Sequence, residues 1–474
     1  MLMSKKTTLY SICALSFILI FTSCDAKFFS AKQVLEHEGE VFVYFQPFPQ
    51  EAERLRFELE GIEAIREDGT TVPLSLGRKT LEPALMKRQR LAAAGIVPPG
   101  SYRGFLFKTA KAWLRVDEEE TELHVKLQPV FVELPFAVAR KKASTVFLNF
   151  LYFKSVIDNT AFVPAFSPYR PSTPATGLIG YVSNTRDNTI TVFDKKAGQV
   201  LSVIATGREP RGIVFDQVRY RAYIALSGED AIAVIDMTTG DSLNTIHLYG
   251  GDAPEALALT PDGRTLVSVN AGSNSVSFLD PLASIEIGRT SVGLEPFTIL
   301  LEPTVGRRAY VFNLLSNSIS IVDTVAKNTA LTRTTEPRPV RGQFDKKGSR
   351  LYVIYDGSPY LTVMDITTLQ VTKRTLLGGT AEALKVDTNT DRIYVAQKRK
   401  NELNIIEPVS LTAIDFIPTE GSTSYLTIDG QENSLLLLSR EDNTLTSINL
   451  NARKETYVID VGDEPYQVAV MGER

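Results

Sequence analysis

Glu209, Arg211, Glu255, Glu295, Arg338, Glu382 and Glu464 carry the clearest chemistry that this chain offers. They occupy two equivalent points of a repeated segment. The first point reads Glu209, Ala253, Glu295, Arg338, Thr380, Ser422 and Glu464; two residues on it reads Arg211, Glu255, Phe297, Val340, Glu382, Ser424 and Tyr466. Carboxylates and guanidiniums interleaved on one rim suit a cationic or zwitterionic ligand, or a partner's loop. A symmetric carboxylate ring able to hold a metal is not what the alignment gives. A second series, Asp194, Asp236, Asp280, Asp323 and Asp365, ends in Glu407 and Asn449 and could be cast as catalytic. Its recurrence in nearly every repeat points instead to turn formation, the side chain accepting hydrogen bonds from nearby backbone N–H groups.

Other chemistries lack their residues. There is no nucleophile elbow, no Gly-x-x-x-x-Gly-Lys phosphate loop and no metalloprotease helix. The cysteines are Cys13 and Cys24, with no Cys-x-x-Cys-His for covalent haem. His37, His124 and His247 lie far apart, without a His-x-x-x-His pair. The expectation is therefore no catalytic set, no metal and no cofactor. No long basic stripe appears, so nucleic acid is not an expected partner.

The elements that must position the rim residues follow from a repeat of 42 to 44 residues, which begins near Gly180. Its register mark is an alternating strand ending in an acid, such as Thr189–Asp194, Ala231–Asp236, Ser275–Asp280, Ser318–Asp323 and Tyr360–Asp365. A similar strand precedes it, as in Tyr181–Asn184 and Ala309–Asn313, across turns such as Asp187-Asn188 and Ser273-Asn274. A third strand follows, and then a Gly-rich step into a fourth that opens on proline: Pro210–Phe215, Pro254–Leu259, Pro465–Val470. Four short strands per repeat and seven copies predict an all-β chain with a seven-bladed β-propeller over residues 178–474. The first copy begins at its second strand, so the last strand of the chain should complete the first blade and leave no open edge. Tyr181-Val-Ser-Asn184 and Thr260-Pro-Asp-Gly263 resemble the bacterial YVTN family of propeller repeats. That resemblance implies the fold and is less specific for activity, since such repeats occur in surface-layer-like proteins, lipoproteins and propellers related to sugar lactonases.

Residues 24–157 show no such period. Strand-like runs between turns at Glu67-Asp-Gly69 and Pro98-Pro-Gly100 predict a small β-sandwich-like domain. Leu81–Ala94 reads as a helix between two strands, with its Lys and Arg as a solvated face. Residues 158–177, rich in Pro, Ser and Thr, read as a linker or a packed crossover.

At the N-terminus, Lys5 and Lys6 precede an apolar run from Leu9 to Phe21 and then Thr22-Ser23-Cys24. The run is too short to span a bilayer. It resembles a bacterial lipoprotein signal over residues 1–23, which implies acylation of Cys24. Removing that segment deletes two lysines and no acid, taking the formal charge from −4 to −6. The resemblance implies a chain anchored to a bacterial membrane in the cell envelope, periplasmic or surface-facing. The function expected is a non-enzymatic binding or scaffolding lipoprotein whose propeller meets a protein or glycan partner. The alternative is a lactonase-like hydrolase at the rim, through Glu209, Arg211, Glu295 and Glu464. A redox accessory propeller is weaker, with no haem motif and a single tryptophan, Trp113.

Overall fold

The computed structural model describes residues 32–116, 119–125 and 128–473. Cys24 and the segment 1–23 lie outside the described residues. Among the described residues, no helix is long and apolar enough to cross a membrane.

From Ile179 onward the chain forms seven four-stranded antiparallel sheets. Their innermost strands are Pro210–Asp216, Pro254–Leu259, Pro296–Leu301, Pro339–Phe344, Ala381–Val386, Tyr425–Asp429 and Pro465–Val470. Each touches the next, and the last touches the first, so the sheets stand as blades of a closed propeller. The period-two alternation has an evident cause. The two middle strands of each blade are covered on both faces, and Ile179–Asn184 and Thr189–Asp194 are buried throughout. Outer strands alternate or lie open, as Asn328–Thr334 does. The apolar cores form between adjacent blades: Tyr181, Ile190 and Val192 of one pack with Ile213, Ala222 and Ile224 of the next.

Closure occurs as the phase of the repeat predicts. Pro465–Val470 pairs antiparallel with Ile179–Asn184, placing Tyr181 opposite Ala469 and Val182 opposite Val468. One buried ion pair pins this seam. Lys195, just past the strand Thr189–Asp194, donates from Nζ to Asp429 Oδ1 (2.9 Å), Gln431 Oε1 (2.9 Å) and the Met471 carbonyl (2.6 Å). Both side chains of the pair are fully buried. The ammonium, carried by the first blade, thus gives two protons to the last blade and one to the chain's C-terminal turn.

Residues 39–169 supply the N-terminal layer. Ten strands form a continuous sheet whose two halves join through Thr71–Leu76. One face of each half contributes to a shared core, with Val41, Val43 and Phe45 meeting Phe57, Phe105 and Phe107. Stacked rings such as Phe45–Phe166 (4.9 Å) and Phe48–Phe150 (4.4 Å) fill it. The Pro98-Pro-Gly-Ser-Tyr102 step is held by its tyrosine, whose OH donates to the Pro98 carbonyl at 2.6 Å. The stretch 158–177 includes strand Phe166–Tyr169, which pairs with Ala143–Phe150 and so belongs to this sheet.

Leu81–Ala94 is not a helix. It holds a short 3-10 turn, Leu85–Lys87, and then enters the strand Arg90–Val97, paired with Gly39–Phe45. The alanines serve close strand packing here, where Gly95 lies so near Leu74 that an added Cβ would approach it to 2.9 Å. Nor is the charge of this segment all solvated. Arg90 is 2% exposed and its Nη1 pairs with Asp460 Oδ1 at 2.5 Å. Gln89 accepts from the Val200 N–H (2.7 Å) and donates to its carbonyl (3.3 Å). Phe42, Tyr44 and Phe147 pack with Val200, Val203 and Ile459, so the layer docks on the outer strands of the first and last blades. Both modules form one compact unit from Lys32 on.

Breaking the Lys195–Asp429 pair strands a charge in the interior. Lys195→Met should lower stability by about 3–5 kcal/mol, and Lys195→Met/Asp429→Leu should recover most of that. Urea unfolding at neutral pH checks both; a cost for the single variant within experimental error would contradict the seam assignment.

Candidate functional site

The channel mouth is built by one backbone irregularity, repeated. In six of the innermost strands the ladder shifts register just after the first residue, between Pro210/Ile213, Pro254/Ala256, Pro296/Thr298, Pro339/Arg341, Ala381/Ala383 and, on the paired strand, Ser183/Asn184. The residue inside each shift is Arg211 (with Gly212), Glu255, Phe297, Val340, Glu382 and Tyr466. A bulge re-aims the extra residue out of the alternation, and several of these side chains meet across the channel.

Glu255, 2% exposed, is the hub. Its Oε2 accepts from Arg211 Nη1 and its Oε1 from the Tyr466 hydroxyl, linking three blades. The Arg211 guanidinium sits 5.8 Å from the Tyr466 ring, and Phe297 meets that ring edge-on at 6.4 Å. Burial pushes the Glu255 carboxyl above its usual range, against the opposing pull of Arg211. Burial likewise raises the Tyr466 phenol well above its ordinary value. Glu382 is also held high by burial, against the attraction of Lys398, Arg440 and Arg341.

The other rim position has a different role. Glu209, Ala253, Glu295, Arg338 and Glu464 all adopt positive φ, between 46° and 56°. Left-handed backbone costs a non-glycine residue about 1–2 kcal/mol, and here a recurring clamp offsets it. The N–H groups of Glu209, Glu295, Arg338 and Glu464 donate to the side-chain oxygens of Asn188 (2.9 Å), Asn274 (2.7 Å), Asn317 (2.9 Å) and Asn443 (3.1 Å). Asp230 clamps Ala253 in the same way at 2.7 Å. Each clamping residue is the turn residue of the preceding hairpin. Three of the side chains so placed have ion partners: Glu209 with Arg211 (3.2 Å), Arg338 with Asp356 (3.2 Å) and Glu464 with Arg186 (3.5 Å). Among the described residues Glu295 forms no ion pair. The structure thus gathers Arg211, Glu255 and Glu209 at one side of the mouth, with Glu382 beside a separate set of cations, and leaves Glu295 apart.

Several mouth residues lie outside the two rim positions of the repeat alignment. Arg341 lies over the Tyr425 ring at 4.4 Å, and Arg440, from a hairpin turn of the last blade, lies 5.7 Å from the Tyr466 ring. Lys398 pairs with Asp356. Arg341 was findable as an exception, since three equivalent positions hold Gly212, Ala256 and Ala383. Arg440 gave no such signal.

The repeated acids are turn formers. Asp280 Oδ1 accepts from the N–H groups of Leu282 and Ala283, both at 2.9 Å. Asp194, Asp323 and Asp365 repeat this double acceptance, Asp236 accepts from the Thr238 N–H, and Glu407 and Asn449 fill the same place. Backbone N–H donation holds the Asp280, Asp365 and Glu407 carboxyls below the usual range. Among the described residues, no group of three or more His, Cys, Asp or Glu side chains is placed to hold a metal ion.

Comparison with known proteins agrees with the geometry. A family model, the YNCE-like beta-propeller, matches residues 219–381, roughly a third of the chain. No curated protein matches the sequence significantly. Among solved structures, a functionally unknown protein from Desulfotomaculum acetoxidans DSM 771 superimposes with a TM-score of 0.54 at 10% identity, over 61% of this chain and 98% of that one. The dihydro-heme d1 dehydrogenase NirN, in complex with DHE, gives 0.50 at 13% identity, over 65% of this chain and 78% of its own. These likenesses show the β-propeller fold, and no activity follows from them.

The turn acids set a testable pH response. Asp280→Asn keeps the acceptor and should be near neutral, while Asp280→Ala should cost about 0.5–1 kcal/mol, the low end for so exposed a turn. A carboxyl depressed on folding contributes stability that is present above its unfolded pKa and is lost as pH falls through the folded value. Asp280→Asn should therefore flatten part of the loss of stability below about pH 4. Thermal unfolding across pH 3–7 reads this; identical profiles for wild type and both variants would contradict it.

Proposed function

We propose that this protein is a recognition or scaffolding module of the bacterial cell envelope, lipid-anchored at Cys24, that meets a protein or glycan partner through its propeller mouth. The observation that carries the reading is the way the mouth is made. Arg211, Glu255, Phe297 and Tyr466 come from four blades, are set by backbone bulges and converge on rigid strands, the arrangement that precise recognition requires. A β-propeller supports binding roles in general by offering a broad face of loops around a central channel. Both oxygens of Glu255 are engaged, by Arg211 and by Tyr466, which favours a structural and recognition role for this carboxyl over proton transfer to a substrate. The resemblance of residues 1–24 to a lipoprotein signal supports the anchor, and several acyl chains at Cys24 would make the attachment stable. The N-terminal layer would act as a pedestal that fixes the orientation of the propeller.

Affinity capture of the tagged full-length protein from gently solubilised native membranes tests this, with mass spectrometry of co-purifying proteins and small molecules. The expected result is a partner lost in a Glu209→Gln/Glu295→Gln/Glu464→Gln variant. Enzyme-like turnover of lactones or esters by the purified protein, abolished in Glu295→Gln, would overturn the reading in favour of a hydrolase.

A further inference from the structure

The mouth contains cationic donors that its own acids do not use. Arg341 and Arg440 form no ion pair among the described residues, although Arg211 is bound to Glu255 and Glu209, and Lys398 to Asp356. The Nε atoms of Arg341 and Arg211 are buried and meet no hydrogen-bond acceptor among the described residues. A buried N–H left in that condition costs about 1–3 kcal/mol, and an acceptor brought to Arg341 would recover that cost. Arg341 also stands where Gly212, Ala256 and Ala383 leave the equivalent strands bare. Thr298 and Gln467 fill the same place in two other strands with hydrogen bonds to a neighbouring blade, whereas Arg341 carries a full charge there.

We propose that the mouth binds a single carboxylate group, held by the guanidiniums of Arg341 and Arg440. This rests on the recognition role proposed above and names its chemistry. A guanidinium presents a planar fork that matches two carboxylate oxygens. Tyr425 and Tyr466 lie beneath the two guanidiniums, at 4.4 and 5.7 Å, and fix where the charge sits. The neighbouring acids limit the ligand to one negative charge. Glu255 is saturated, but Glu382 lies within the field of both arginines and of Lys398, so a doubly charged phosphate meets repulsion that a monocarboxylate meets less. Phe297 and Tyr466 give one wall of the mouth an aromatic character, suited to a ligand with a ring near its carboxyl. Such a carboxylate can belong to a free aromatic acid or to the C-terminus of a partner chain.

Isothermal titration of the full-length protein in neutral detergent separates these sources. The probes are N-benzoylglycine, its uncharged amide, inorganic phosphate, and a hexapeptide ending in Phe with a free or an amidated C-terminus. The expected result is saturable binding of N-benzoylglycine and the free-carboxyl peptide, none of either amide, and at most weak competition by phosphate. Tighter binding of the peptide identifies a protein tail as the source, and tighter binding of N-benzoylglycine a small molecule. Arg341→Lys, which keeps charge and loses the fork, and Arg440→Gln should each weaken binding about tenfold. Glu382→Gln removes a like charge and should tighten it about threefold, a gain that misfolding cannot produce.

Equal binding of the amides, equal competition by phosphate, no binding of any probe, or wild-type affinity in Arg341→Lys would each overturn the proposal. If a captured partner survives Arg341→Lys but is lost with the Glu209, Glu295 and Glu464 substitutions, recognition stands and the carboxylate site falls. If no partner is captured while the carboxylate probes bind as described, the site stands without a macromolecular partner.

Discussion

Closing a ring of sheets is the constraint on which the rest of this molecule depends. A blade with an uncovered inner edge exposes a row of unpaired backbone groups, and the chain avoids this by returning its last strand to its first blade. Pro465–Val470 pairs with Ile179–Asn184, and the Lys195 ammonium ties that seam to Asp429 and the Met471 carbonyl. A buried charge is expensive to desolvate, and here all three of its protons find oxygen. The consequence reaches the mouth directly, because Tyr466, the donor to Glu255, sits on the closing strand. The closing strand therefore carries part of the mouth as well.

The N-terminal layer strengthens the same seam from outside. It covers the outer strand Gln199–Ala205 of the first blade, which is more buried than the exposed outer strand Val371–Leu376. It also reaches the last blade through Arg90 and Asp460. The two blades that meet at the closure are thus the two that the layer holds, and the hydrogen bonds of the Gln89 side chain with the Val200 backbone make the contact directional.

The repeat was legible because each of its marks has a local cause. The acid closing each register-mark strand accepts from the amides of the turn that follows it, and the proline opening most inner strands needs no ladder donor at its place. The mouth positions were legible by alignment, since Arg211, Glu255, Phe297, Glu382 and Tyr466 occupy one bulge. What they do was not, because pairing across a channel joins residues such as Glu255 and Tyr466 that are far apart in sequence. Glu209 and Glu464 were read as rim ligands, yet their shared position is first a left-handed turn clamped by asparagine. The alanine run at Leu91–Ala94 imitated a helix, since local propensity yields to strand pairing wherever a partner strand is present. Arg90 looked solvated because nothing nearby in sequence announces Asp460.

Native-state hydrogen exchange of the full chain tests most directly whether closure by the last strand assembles the mouth. The amides of Gln467, Val468 and Ala469 should exchange only through global unfolding, with protection equal to that of Tyr181 and Val182 across the seam. Exchange of the closing strand by an independent, lower-energy opening, while the other blades stay protected, would contradict the account. It would mean that the propeller holds together without the strand that carries Tyr466.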